Sequence, residues 1–180
     1  FVVGHFHMVM GVSPILVVFG AIYHWYPKIT GRMFDDRLGK IHFWLTFLGT
    51  YAIYLPMHYL GILGVPRRYY ALGETEFLPQ SVHTVNMAIA IAALVVAASV
   101  VVFLYNMIVS LWKGEKAPGN PWKATTLEWQ TPDTPPRHGN WGEKLPVVHR
   151  WAYDYSVPGA EQDFIPQNVP HDGSARHHPT

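Results

Sequence analysis

Three long stretches of the sequence contain no Asp, Glu, Lys or Arg, and they restrict the possible folds more than any other feature. They cover residues 1–27, 41–66 and 77–112. Each is longer than the roughly 20 residues that a helix needs to cross a bilayer, and each is apolar on all sides rather than along one stripe. The alternative is a large soluble core with buried helices, but three such runs are rare in a soluble protein of 180 residues. The pattern predicts an all-α integral membrane protein.

We predict three transmembrane helices at about residues 1–26, 40–63 and 82–113. The apolar pattern is already under way at Phe1, which is not a methionine. We therefore expect a processed chain or a piece of a longer one, in which the first helix begins earlier. Pro14 and Pro56 fall inside the first two helices. Membrane helices tolerate such prolines when neighbouring helices cover the freed carbonyl groups.

The charges between the predicted helices indicate an orientation. Loop 27–40 holds Lys28, Arg32, Arg37 and Lys40, and loop 64–81 holds only Arg67 and Arg68, while Lys113 and Lys116 lie at and just past the end of the third helix. Short loops rich in Lys and Arg stay in the cytoplasm. We therefore expect loop 27–40 and the C-terminal tail on the cytoplasmic side, and Phe1 with loop 64–81 on the outside.

The last part of the chain, residues 114–180, differs in composition from the rest. It holds ten of the fifteen prolines and eight of the twelve acidic residues. Proline-rich runs such as 131–136 form neither helix nor central strand. Its aromatic residues are too many for plain disorder; they include Trp122, Trp129, Trp141, Trp151, Tyr153 and Tyr155. We predict a transmembrane region over 1–113 and an extended Pro- and aromatic-rich tail over 114–180, anchored on a protein surface and disordered from residue 171.

Composition also excludes several functions. The net charge of +1 excludes a nucleic-acid binder that depends on a strong basic field. The absence of cysteine excludes disulfides, thiolate metal sites, iron–sulfur clusters and cysteine catalysis. No acidic residue or lysine lies within the three uncharged stretches, so proton-transfer groups of this kind would have to lie elsewhere.

The motif His5-Phe6-His7 is the first candidate site. Side chains two positions apart point about 200° apart around an α-helix, so His5 and His7 cannot share one metal as an i, i+4 pair can. They can serve two separate centres on the two sides of one helix. A histidine at membrane depth is a functional hypothesis by default, and the alternative is two interfacial histidines bonded to their neighbours.

The pair Arg67-Arg68, after the second helix, is the second candidate site. Arginine binds carboxylates and phosphates with two parallel hydrogen bonds. The residues alone leave open whether the pair binds lipid phosphates or the acidic groups of a cofactor. The other histidines in or beside the helices are interpreted as structural; they are His24, His42, His58 and His83.

Taken together, these motifs resemble the C-terminal third of subunit I of the haem–copper oxidases, specifically cytochrome c oxidase. The resemblance runs from VVGHFHMVMG through IHFWLTFLGTYAIYLPMHYLG to VPRRYY, and PWKATTLEWQTPDTPP resembles the cytoplasmic extension of bacterial members. It covers nearly all of residues 1–160. It implies that the three helices are the last three of a twelve-helix bundle in a bacterial inner membrane.

The resemblance also implies a role for each candidate residue. His5 is similar to the proximal ligand of the high-spin haem where oxygen is reduced, and His7 to one axial ligand of the low-spin haem. Phe6 then lies between the two haems. Arg67 and Arg68 match the pair that binds the haem propionates. The implied cofactors are haem a and haem a3, with copper (CuB) bound by residues outside this chain.

The implied function is the C-terminal part of a proton-pumping terminal oxidase that reduces O2 to water with electrons from cytochrome c. The implied partners are the remainder of subunit I, subunits II and III, cytochrome c acting through subunit II, and membrane lipid, with no nucleic acid. The family's copper-binding histidines and the second axial histidine are absent from this sequence, so the chain alone is expected to be incomplete as an enzyme. A quinol oxidase and a non-catalytic membrane subunit stay open as alternatives.

Overall fold

A computed structural model describes the chain over residues 1–68, 78–153 and 165–170. The helices in these ranges are α1 (Val2–Phe6), a π-helical segment (His7–Val12), α2 (Ser13–Thr30), α3 (Asp36–Ile62), α4 (Ser81–Lys113) and a 3-10 turn (Leu127–Trp129). The described residues contain no strand, only one isolated bridge between Arg32 and Lys116. The predicted helical class is confirmed. Tyr69 and Tyr70 of the arginine motif, Tyr155, and the tail end at 171–180 lie outside the described residues.

Two of these helices are long and apolar enough to cross a membrane. One is the continuous helix Val2–Thr30, hereafter the N-terminal helix, which joins α1, the π-helical segment and α2 over 29 residues. The other is α4, with 33 residues. Among the described residues, α3 is not a third helix of this kind, since polar side chains are spread along its length. The count of three spans therefore stays a prediction.

The N-terminal helix ends later than predicted. The sequence prediction placed its end at about residue 26. The helix instead continues to Thr30, whose hydroxyl donates to the Tyr26 carbonyl at 2.7 Å. Gly31 then ends it with φ 70°, a left-handed conformation that glycine adopts without strain. Side-chain and glycine capping thus add four residues to the helix.

Helix α3 begins earlier than predicted, at Asp36 rather than near residue 40. Asp35 caps it: its carboxylate accepts a hydrogen bond from the Leu38 N–H at 2.9 Å, which satisfies one of the free donors at a helix start. The backbone of Asp35 is also held by Asn106 of α4, a side chain only 1% exposed. The amide of Asn106 donates to the Asp35 carbonyl and accepts from its N–H, both at 2.9 Å.

The chain forms two compact units. The first contains residues 1–23 and 34–113, and in it α3 packs against α4 through small residues. A Cβ atom on Gly49 would come within 2.5 Å of a Val96 methyl group, and the buried hydroxyls of Thr46 and Ser99 lie 2.7 Å apart. Small side chains let two helices approach closely. The buried apolar cluster beside this contact consists of Ile53, Leu60, Val82 and Ile89.

The second unit contains residues 24–33 and the tail. Its centre is Trp129, which is 2% exposed and packs edge-to-face on His24 at 5.0 Å. Trp122 donates its indole N–H to the His24 carbonyl at 2.8 Å. Lys28 is also buried, and its ammonium group donates to three tail oxygens: the carbonyls of Gly119 and Thr131 and the hydroxyl of Thr134, at 3.4–3.5 Å.

Hydrogen bonds of one glutamine join the described segments of the tail. The Gln167 N–H donates to the Thr125 carbonyl at 2.9 Å, and its side-chain oxygen accepts from the Leu127 N–H at 3.2 Å. Its side-chain amide donates to the Arg150 carbonyl at 3.3 Å. The described part of the tail is thus ordered by side-chain contacts and irregular backbone pairing rather than by long secondary-structure elements.

Candidate functional site

Gly4 sets the distance between the N-terminal helix and α3. It is buried, and a Cβ atom at this position would lie 3.0 Å from His58 Nδ1 and from Met57 Cβ, and 3.1 Å from the Tyr54 carbonyl oxygen. These separations are shorter than ordinary contacts of about 3.5–4.0 Å. The hydrogen side chain of glycine therefore allows the two helices to meet at this point.

The two candidate histidines lie on either side of this contact. Steps of about 100° per residue place His5 about 100° to one side of Gly4 and His7 about 60° to the other. The ring of His5 packs on His58, and the ring of His7 packs on Tyr54, with both partners on α3. Both histidines thus contact α3, but their side chains leave the N-terminal helix in two different directions.

A hydrogen bond and ring packing fix the side chain of His7. Its Nδ1 lies 2.8 Å from the Val3 carbonyl oxygen and donates to it, since a carbonyl only accepts. The ring stacks on Tyr54 at 5.5 Å with an 8° interplanar angle, and Phe6 lies against it at 4.1 Å. A histidine held at Nδ1 by a backbone carbonyl presents Nε2 as a metal ligand. His7 thus has the tautomer and the orientation that a ligand needs.

His5 is exposed, and its ring packs on two other rings. It lies edge-to-face with His58 at 6.0 Å and 88°, and stacks loosely on Phe1 at 6.3 Å and 10°. Within the described residues its ring nitrogens make no hydrogen bond. The described ranges contain no group of three His, Cys, Asp or Glu side chains that could hold a metal ion.

A π-helical segment begins at His7 and ends at Val12. A turn closed by i→i+5 bonds holds one residue more than an α-turn, and such turns are frequent at functional sites. Directly after it, the Ser13 hydroxyl donates to the Met8 carbonyl at 3.4 Å, and Pro14 has no N–H to continue an α-helical ladder. The sequence prediction of a simple α-helix missed this feature, although Pro14 was a signal for it.

Arg67 and Arg68 are exposed in the turn that follows α3, where Arg68 has φ 55°. The backbone of Phe1 lies so close to Gly61, in the last turn of α3, that a Cβ atom there would overlap it. The histidine pair and the arginine pair thus lie toward the same end of the first unit. In the described residues no hydrogen bond or ring contact joins the arginine side chains to His5 or His7.

His58 is a residue whose position the sequence prediction did not anticipate. It was interpreted as structural, yet it contacts both Gly4 and the ring of His5. Its Nδ1 donates to the Tyr54 carbonyl at 2.7 Å, the same i, i−4 arrangement that fixes His7. Tyr54 and His58 are spaced by four residues and therefore share one face of α3, which is the sequence signal that could have linked them.

The structure is that of a helical protein with two helices long and apolar enough to cross a membrane, and one of them carries His5 and His7 beside different side chains. The sequence matches, over residues 1–95, the family described as "Cytochrome C and Quinol oxidase polypeptide I". The chain therefore belongs to the subunit I family of the haem–copper oxidases, and the resemblance drawn from its motifs is confirmed. Members of this family are integral membrane proteins and respiratory oxidoreductase subunits.

Individual relatives agree with this assignment. An "alternative cytochrome c oxidase subunit 1" of Bradyrhizobium diazoefficiens is 68% identical over 170 residues, which are 94% of this chain and 29% of that protein. "Cytochrome c oxidase subunit 1" of Synechocystis is 46% identical over 87% of this chain and 27% of its own length. "Heme-copper oxidase subunit I+III" of Aeropyrum pernix is 38% identical over 83% of this chain and 17% of its own length. The chain thus spans less than a third of each of these relatives.

Proposed function

We propose that this chain is the C-terminal, haem-ligating part of the catalytic subunit of a cytochrome c oxidase. The whole enzyme reduces O2 to water with electrons from cytochrome c and couples this reaction to proton pumping. The observation that carries the proposal is the placement of His5 and His7 on either side of Gly4, each with a different environment. The rest of subunit I supplies the CuB ligands and the second axial histidine.

The donor set fits two haems, assigned as haem a and haem a3. Bound haem supplies electron transfer at the low-spin centre and oxygen reduction at the high-spin centre. His7 suits the low-spin haem, because the Val3 carbonyl holds its Nδ1–H and leaves Nε2 as the ligand. His5, with an exposed ring, suits the proximal position of the high-spin haem. Phe6 follows His5 directly and packs on the His7 ring at 4.1 Å, so it lies between the two centres.

Arg67 and Arg68 complete the proposed site as partners of the haem propionates. A guanidinium group meets a carboxylate with two parallel hydrogen bonds, and its fixed charge raises a nearby haem potential. Both side chains are exposed and lie toward the same end of the first unit as the histidines. Binding of lipid phosphates is the competing role for this pair.

The same proposal sets the arrangement in the membrane. Residues 1–113 form the transmembrane region, with α3 as the third span beside the N-terminal helix and α4, and residues 114–180 form a cytoplasmic tail. The Phe1 end faces the outside of a bacterial inner membrane. The remainder of subunit I, subunits II and III and lipid are the proposed partners, with cytochrome c delivering electrons through subunit II.

A quinol oxidase is the second candidate, because the matching family includes quinol as well as cytochrome c oxidases. Other parts of the complex largely determine which electron donor the enzyme uses. Haem a in the visible spectrum of the purified complex, together with a subunit II copper signal, favours the cytochrome c oxidase. Haem o or b without that copper signal favours the quinol oxidase.

Two substitutions in the full-length protein test the haem assignment. His5→Ala should abolish carbon monoxide binding to the reduced enzyme while the low-spin haem bands persist. His7→Ala should remove the low-spin bands and block electron entry. Identical spectra for the two variants would contradict the assignment of two separate centres, and a wild-type complex without haem would indicate a non-catalytic membrane subunit.

A further inference from the structure

The last turn of the N-terminal helix carries a lysine that is buried in the second unit. Lys28 is 4% exposed, although the helix ends soon after it, at Thr30. Lysine is almost never fully buried unless its charge has partners, because an ammonium group loses its hydration on burial. The surroundings of Lys28 therefore have to replace the water that its charge loses.

The tail supplies three oxygen atoms around this ammonium group. Nζ of Lys28 donates to the carbonyls of Gly119 and Thr131 and to the hydroxyl of Thr134, at 3.5, 3.4 and 3.4 Å. An ammonium group has three N–H donors and no acceptor, so the acceptors match its donors in number. The distances are long for N–H···O bonds and nearly equal, so the charge is shared among three dipoles and no single bond dominates.

The oxygens belong to two stretches of the tail that also contact Gly31, at the end of the helix. The N–H of Ala117, close to Gly119 in sequence, donates to the Gly31 carbonyl at 2.9 Å. A Cβ atom on Gly31 would lie 3.6 Å from the Thr134 carbonyl oxygen and 3.3 Å from Pro135 Cδ. Both stretches thus meet at the helix end, where the ammonium group bridges them.

Two further features of the helix favour a cation and a docked tail at this point. The free carbonyls of a helix C-terminus carry partial negative charge, which attracts a cation in the last turn. His24 precedes Lys28 by four residues and shares its face of the helix. The His24 carbonyl accepts from the Trp122 indole N–H at 2.8 Å, and its ring packs on Trp129 at 5.0 Å.

We propose that the tail builds an intramolecular cation site from the oxygens of Gly119, Thr131 and Thr134, and that the ammonium group of Lys28 is its resident ligand. The site is specific for a primary ammonium group. The charge of Lys28, and not only its apolar stem, then fixes residues 115–135 to the end of the helix. The proposal uses only residues of the second unit, and it holds whether or not His5 and His7 bind haem.

Hydrogen–deuterium exchange of the full-length subunit in its assembled complex tests the site, with mass spectrometry of peptides from residues 115–135. Lys28→Met keeps a similar volume but removes the charge, which leaves the three oxygens without their donor. Exchange should become at least about tenfold faster, because one hydrogen bond to a charged group is worth about that factor. Peptides from α4 should exchange at the wild-type rate.

Chemical rescue tests the cation specificity. Lys28→Ala should also speed exchange, and it opens a space that propylammonium can fill, since this ion matches the lost part of the lysine side chain. Propylammonium should restore slow exchange in Lys28→Ala but not in Lys28→Met, where the methionine side chain occupies the space. 1-Propanol has a similar size without the charge and should restore nothing.

Three results would overturn the proposal. Wild-type exchange in Lys28→Met would show that the ammonium group is not needed. Failure of propylammonium to slow exchange in Lys28→Ala, or an equal effect of 1-propanol, would show that the three oxygens do not act as a cation site. An equal acceleration of exchange in α4 would show general unfolding in place of a local site.

Discussion

The substitution Gly4→Ala tests whether the close helix contact holds the histidine pair in place. The new methyl group would lie 3.0 Å from His58 Nδ1 and Met57 Cβ and 3.1 Å from the Tyr54 carbonyl oxygen. Ordinary contacts are about 3.5–4.0 Å, so the helices must separate by roughly half an ångström or more. The carbonyl is backbone and cannot turn aside as a flexible side chain can.

Two opposing effects determine how much Gly4→Ala changes the free energy of unfolding. Overpacking a contact costs about 1–3 kcal/mol. Replacing a glycine inside a helix by alanine gains about 0.5–1 kcal/mol. The net loss of stability for Gly4→Ala is therefore about 1 kcal/mol, and up to about 2 kcal/mol if the contact cannot relax.

Gly20→Ala is the matched control in the same helix. A Cβ atom at Gly20 would meet nothing within 4 Å among the residues that the structure describes, so we expect only the gain of about 0.5–1 kcal/mol. Thermal unfolding of the purified full-length complex, followed by circular dichroism and by haem absorbance, compares the two variants. Gly4→Ala should unfold at a lower temperature than Gly20→Ala and broaden the haem bands. An equal or higher unfolding temperature for Gly4→Ala, with unchanged bands, would refute the reasoning.

Two further predictions concern the charged residues. Lys28→Met removes the three hydrogen bonds from the buried ammonium group to the tail, so chymotrypsin should cut residues 114–135 faster in intact membranes. Lys40→Met, at an exposed position, is the control and should not change the rate of cleavage. Equal rates of cleavage in both variants would contradict this role for Lys28. Arg67→Gln or Arg68→Gln should lower a haem midpoint potential by tens of millivolts, since one charge about 10 Å away at an effective dielectric constant near 20 contributes on the order of 1–2 kcal/mol. Arg→Lys should lower the potential less, because lysine keeps the charge but loses the bidentate geometry, and unchanged potentials with altered lipid retention would favour the lipid role.

The sequence predicted the helical elements because absence of charge over more than 20 residues is a strong signal. Their ends were less predictable. Hydropathy places the start of α3 after the last charge, but the Asp35 cap starts it at Asp36. The first helix was predicted to end at about residue 26, whereas the Thr30 hydroxyl and Gly31 let it continue to Thr30. Such ends depend on single hydrogen bonds that an average over many residues does not detect.

The candidate site was predictable in part. The spacing of His5 and His7 indicated two separate centres, which stays a prediction; the structure places the two rings beside different side chains of α3, His58 and Tyr54. The contact of His58 with His5 could not be derived from spacing, because it joins residues far apart in the chain. Lys28 shows the same limit: charge counting treats it as a solvated loop residue, whereas the tail buries it.

The most direct test of the central claim is an experimental density map of the full-length protein in its assembled complex. His5 and His7 should each reach a different haem iron, on opposite sides of the N-terminal helix, with density continuous from each imidazole to its metal. A map in which either histidine lacks a metal, or in which both bind the same one, would contradict the account.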